Sequence, residues 1–181
     1  MGQQVRHRIE VVPHWVNRLS MAVGAPFDDF RARYEQAVPA FEAERFERLA
    51  EDDADWDAIL QATAENAPHN FILYWSGDFT HIMRLAGDRW RCVEYLMGNH
   101  VIAQRMYHHN PAVLLYAPLR TAIYEDADGE TWFTVEQPTT QFSSFGNPAI
   151  TEVSKQLDRE LASLLHHLNV PVPATLTSPT G

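Results

Sequence analysis

The residues best placed to do chemistry lie between Tyr95 and Glu125. The run Tyr95-Leu-Met-Gly-Asn-His100 reads as a strand ending in a tight turn, with Asn99 able to cap a helix that starts at His100. A junction of this kind aims backbone N–H groups and the positive end of a helix dipole outward, a seat suited to an anion or carboxylate. Arg120, on the next strand, offers a planar fork of donors to the same kind of group. Glu94, Tyr95, Tyr116 and Tyr124 are candidate neighbours.

Two chemistries follow. In the first, a sheet concavity lined by Trp75, Tyr95, Tyr116 and Trp132 binds a small, partly apolar molecule, and Asn99, His100 and Arg120 orient its anionic end. In the second, His100 is the general acid or base of a cofactor-independent enzyme and Arg120 stabilises developing negative charge. A plainer account stands beside both, with Asn99 only a cap, His100 an exposed first-turn residue and Arg120 a surface cation paired with a carboxylate.

Other polar groups point to structure rather than to a site. The chain has nine histidines, but adjacent pairs such as His108-His109 and His166-His167 point about 100° apart on a helix and do not chelate together. They are read as scattered surface residues, and no metal or cofactor is expected. Cys92 has no cysteine or acidic partner beside it and is read as a small buried hydrophobe. The acidic stretch from Phe41 to Asp57 reads as a solvated helix and connector rather than a metal-collecting loop. Asp126-Ala-Asp-Gly129 has the chemistry of a hairpin turn and lacks the further ligands of a calcium loop. Phosphate loops, dinucleotide fingerprints, nucleophile elbows and zinc-protease motifs are absent from the sequence.

The elements that must position these residues are legible in outline. Leu19, Met21 and Val23 alternate as in a half-buried strand. Pro26 opens a helix whose stripe is Phe27, Phe30, Tyr34 and Val38. Trp56, Ile59, Leu60 and Thr63 share helical spacing, Phe71 to Trp75 reads as a strand covered on both faces, and Ile82 to Leu85 as a short helical turn. Strands are expected near Trp90 to Tyr95, Leu114 to Glu125 and Thr131 to Val135. Asn147 and Pro148 then start a long helix with Ile150, Val153, Leu157, Leu161, Leu164, Leu165 and Leu168 on one face. About five strands and at least three helices, not strictly alternating, make an α+β pattern.

Composition bounds the partners. The chain has 181 residues, 45% of them hydrophobic, and 14 basic against 24 acidic groups for a net charge of −10. That length suits one domain, and that charge argues against nucleic acid or an anionic membrane as a partner. One cysteine, no leader-like apolar start at Met1 to Arg6 and no membrane-length apolar run suggest a cytoplasmic protein.

The runs Tyr95-Leu-Met-Gly-Asn-His100, Tyr116-Ala-Pro-Leu-Arg120, Ile123-Tyr-Glu125 and Thr131-Trp-Phe-Thr-Val-Glu-Gln-Pro138, with the last helix, resemble the DUF302 family. The resemblance covers the chain from about Asn70 onward and, more weakly, its first strand and helix. It implies a TBP-like curved antiparallel sheet of about five strands backed by helices, and a homodimer, but no reaction. Residues 1–173 would form a single such domain with a lengthened acidic connection at 41–66, and 174–181 a loosely ordered tail. His100 stands where many members have proline, and Leu119 follows Pro118 where many have cysteine, so no thiol chemistry transfers to that position. The expected function is binding of an anionic, partly apolar small molecule by Asn99, His100, Arg120, Tyr116 and Tyr95. The alternatives are the His100–Arg120 enzyme and a ligand-free dimeric structural or regulatory module.

Overall fold

The structure, a computed structural model, describes residues 8–177. The readings made for residues 1–6, and for the end of the tail at 178–181, lie outside it. Strands β1 (Arg18–Ala22), β2 (Ile72–Asp78), β3 (Cys92–Gly98), β4 (Leu119–Glu125) and β5 (Thr131–Glu136) form one antiparallel sheet in the order β1-β5-β4-β3-β2. Its register puts Val93, Ile123, Phe133 and Met21 in one row across the sheet, and Glu94, Ala122, Thr134 and Ser20 in the next. Side chains of neighbouring rows point to opposite faces. The first row is buried and the second is not.

Helix α1 (Phe27–Ala37) lies against the buried face, and the whole expected stripe of Phe27, Phe30, Tyr34 and Val38 is buried. Each such aromatic or aliphatic side chain contributes about 1.5–3 kcal/mol by leaving water. Helix α7 (Pro148–His167) starts where expected, with Asn147 Oδ1 accepting from the Ala149 and Ile150 amides, and its apolar face joins the same core. Helices α5 (His100–Tyr107) and α6 (Pro138–Phe142) pack against α7. The acidic segment forms α2 (Ala43–Glu51), which has no fully buried side chain, and α3 (Trp56–Asn66), capped by Asp55; α4 (Thr80–Leu85) precedes β3. Among the described residues no helix is long and apolar enough to cross a membrane.

Three expectations change. The run Phe71 to Trp75 is covered on both faces only through Leu73: β2 is an edge strand, a register shift falls between Leu73 and Trp75, and Trp75 is 43% exposed. The strand expected from Leu114 starts at Leu119, because Pro111–Leu115 winds into a 3-10 turn that leaves Leu114 and Leu115 exposed. Cys92 is exposed, since it takes the outer parity of β3 opposite Tyr124 while Val93 points inward. Beyond the last helix, Ala174–Leu176 forms a 3-10 turn in which Leu176 is buried. Helix α6 has no counterpart in the sequence reading.

Candidate functional site

The named residues fall into three places. Asn99 and His100 sit where β3 meets α5, and every amide of that first turn is already engaged. Asn99 Oδ1 accepts from Val101 N at 2.9 Å and Ile102 N at 3.1 Å, while His100 N donates to Tyr74 Oη at 3.1 Å. Ala103 N donates to the Asn99 carbonyl, and Asn99 Nδ2 donates to the Asn70 carbonyl at 3.1 Å. The expected anion seat is therefore filled by the protein's own acceptors, and Asn99 is a cap. Gly98 belongs to the same joint: a Cβ there would stand 3.2 Å from Pro118 Cα.

His100 is half-buried, with Nε2 2.7 Å from Thr63 Oγ1 and Nδ1 2.7 Å from Tyr74 Oη. The Thr63 hydroxyl donates to the Ile59 carbonyl at 2.7 Å, so its oxygen accepts from His100 Nε2–H. The Tyr74 hydroxyl then donates to Nδ1 and accepts from the His100 amide. Donor accounting thus assigns a neutral imidazole with its proton on Nε2. Phe41 and Phe46 meet the ring edge-on, with centroids at 5.9 and 4.8 Å. Burial pulls the His100 pKa below the ordinary imidazole value and pushes the Tyr74 phenol up to about 12. Both nitrogens are occupied and no carboxylate bonds to them, which is the chemistry of a structural histidine.

Tyr95 is on the covered face, fully buried, with its hydroxyl donating to Glu35 Oε1 at 2.9 Å and its ring edge-on to Tyr34 at 5.0 Å. Burial first, and the Glu35 carboxylate second, raise its pKa well above the ordinary phenol value. Tyr95 therefore leaves the expected aromatic concavity, because its partner across β4 is the buried Thr121.

Arg120 and Tyr116 are on the opposite, open face. A concavity of about 640 Å³ there is walled by Arg18, Leu96, Leu115, Tyr116, Pro118 and Arg120, with Cys92, Glu94 and Glu136 also facing it. Arg120 Nε lies 2.9 Å from Glu94 Oε1, yet the arginine side chain is 75% exposed, leaving most of its fork to solvent. Glu136 accepts from Gln141 Nε2 at 2.6 Å, and Arg18 has no ion-pair partner among the described residues. Tyr116 is held edge-on by Phe142 and Phe145. Its hydroxyl meets His14 Nε2 at 3.2 Å, and that ring's Nδ1 lies 3.2 Å from the Val12 carbonyl. The half-buried Trp132 donates Nε1–H to Asp126 Oδ2 at 2.8 Å at the hairpin, where Gly129 takes a φ of 79°.

The arrangement can hold a cation–anion contact beside an apolar wall. Among the described residues no group of three or more His, Cys, Asp or Glu could hold a metal ion. His69 and His167 stack with centroids at 3.8 Å, a packing geometry rather than a chelating one. Thr63 and Tyr74 were missed in sequence because they lie 37 and 26 positions from His100. Arg18 had a signal: with Leu19 and Met21 facing inward, its parity points it outward.

A family model described as a domain of unknown function, DUF302, matches residues 50–168. No curated protein matches the chain. Among solved structures, the crystal structure of an uncharacterized conserved DUF302 protein from Bacillus stearothermophilus is similar at a TM-score of 0.58 and 16% identity. The match covers 84% of this chain and 97% of that one. At that identity the likeness speaks for the fold.

Proposed function

The chain belongs to the DUF302 family, whose domain has no assigned function, and from that premise we propose a non-catalytic small-molecule-binding domain. Its ligand is anionic at one end and partly apolar, and it sits in the open-face concavity. The observation that carries this reading is the convergence there of Arg120, mostly exposed, and Arg18, without an ion-pair partner among the described residues, on an apolar wall of Leu96, Leu115, Pro118 and Tyr116. Such a pairing of a few polar groups with an apolar lining is what small-molecule sites use. Asn99, His100 and Tyr95 support the site from other parts of the fold and do not touch the ligand. The enzyme reading, which needs His100 and Arg120 together, has no geometric support. One exposed thiol suits a reducing compartment, and we place the protein in the cytoplasm.

Cys92 supplies the test. A thermal-shift series of aromatic and aliphatic carboxylates is followed by the rate of maleimide alkylation at Cys92. A binder is expected to raise the melting temperature and slow alkylation in the wild type, and to do neither in Arg120→Ala. Slowed alkylation that survives Arg120→Ala refutes the site as drawn.

A second reading, self-association into a homodimer through the same face, is favoured by the exposure of Trp75, Leu114 and Leu115, at 43%, 54% and 77%. Light scattering of the wild type against Leu115→Arg distinguishes it: a dimer built on this face becomes a monomer.

A further inference from the structure

The geometry points to a role for His100 beyond that of a capped first-turn residue: it is an acid-sensitive latch that holds the α2–α3 segment on the sheet while neutral and releases it when protonated. Its imidazole bridges three elements that are distant in sequence, α3 through Thr63, β2 through Tyr74 and its own helix α5. Helix α2 has no fully buried side chain, and Phe46, half-buried, is its ring against the body of the protein, packed on His100 and on Phe41. At its root the segment is tied to the edge of β2, where Phe41 N donates to the Leu73 carbonyl and Leu73 N to the Pro39 carbonyl, both at 2.8 Å. Asn66 closes the far end, accepting from Glu42 N at 3.3 Å and donating to the Ala40 carbonyl at 3.0 Å. A segment pinned at its root and latched at its middle opens by losing the latch.

The hydrogen-bond ring around His100 has no place for a second ring proton. Were Nδ1 to carry one, the Tyr74 hydroxyl would have to accept from both Nδ1–H and the His100 amide, and its own proton would lose its acceptor. The new cation would also lie among Phe41, Phe46, Tyr74 and Thr63, with no carboxylate bonded to it. Both effects favour the undocked state. Of the charged side chains on the packed elements, Arg45 of α2 pairs with Glu42 and with Glu65 of α3, and Arg48 with Glu44, while Glu47, Glu51 and Asp57 are exposed. On α5, Arg105 donates to Gln156. His69, on the loop after α3, stacks on His167 and is itself held below the ordinary imidazole value by burial and by that neighbour, so it is the competing titrating group.

The sign follows from linkage. A histidine whose pKa is depressed in the docked state binds fewer protons there than when released. Docking is complete above the ordinary imidazole value and weakens as pH falls below it.

Hydrogen exchange followed by mass spectrometry, corrected for the intrinsic pH dependence of exchange, tests the latch at pH 7.5 and pH 5.5. In the wild type, peptides from 43–66 are expected to lose protection by as much as about tenfold at the lower pH, while peptides from 119–136 do not. His100→Gln should abolish the difference and His69→Gln should keep it. Unchanged protection of 43–66 in the wild type overturns the latch, as does a wild-type response in His100→Gln. Nitrogen-15 imidazole spectra of the wild type serve if that variant does not fold. They should show the neutral Nε2–H tautomer at pH 7, and a charged ring or an Nδ1–H tautomer there overturns the assignment.

Discussion

At the scale of single residues, Asn99 and Arg120 separate structure from recognition. Asn99→Ala removes a cap and the bond to the Asn70 carbonyl, and should cost about 1–2 kcal/mol in urea unfolding, part of which Asn99→Ser recovers. Arg120→Ala should change stability by less than about 0.5 kcal/mol, because its ion pair with Glu94 is mostly in water. Asp158 is the opposite case. It is 5% exposed, accepts from Gln137 Nε2 at 2.8 Å and Thr139 N at 3.0 Å, and takes a third bond from the Thr139 hydroxyl. Asp158→Ala strands those donors and should destabilise by about 3 kcal/mol in the same measurement. Burial raises the Asp158 pKa despite these bonds. The folded state therefore holds its proton more tightly than the unfolded one. The stability linked to that proton is complete below the ordinary carboxylate value and is lost as pH rises through the raised one. A carboxyl carbon-13 titration should place Asp158 above 3.8, the value of an unperturbed aspartate.

At the scale of elements, Asn147→Ala should loosen the start of α7 and cost about 1 kcal/mol, read as a lower unfolding midpoint in urea. Helices α1 and α7 were legible because their apolar stripes repeat within a few residues and their starts carry Pro26 and Asn147-Pro148. Strand parity was legible as well: Val93 and Tyr95 share one face of β3, and Cys92 and Glu94 the other. Sequence does not reveal which face is covered, and so Tyr95 was grouped with Tyr116 across a sheet that separates them. The junction after β3 was recognised as a capped helix start. Its amides were read as available because Tyr74, which takes one of them, lies on another strand. The continuous run Phe71 to Trp75 looked doubly covered since period alone does not tell a central strand from an edge that kinks after Leu73.

At the scale of the molecule, α1 packs on the buried face of the sheet, and the other face is a surface of Trp75, Leu96, Tyr124 and Trp132 crossed by Arg18 and Arg120. A charge placed there, as in Leu115→Arg, should leave the unfolding free energy within about 0.5 kcal/mol of wild type while dispersing any assembly built on that face, as light scattering would show. The same surface carries the chain's single thiol. Cys92 is exposed at the surface, yet the atoms packed around its sulfur still desolvate the thiol, and this first, then Glu94 and Asp78, hold it above its ordinary pKa, so little thiolate forms at neutral pH and aerial oxidation is slow. In alkaline buffer without reductant that protection fades. Two chains then join sulfur to sulfur, sheet against sheet, as dioxygen takes up the two electrons and protons released. Such a covalent pair would run at the mass of a homodimer, and dithiothreitol would dissolve it, whereas an assembly held by Trp75, Leu114 and Leu115 would survive.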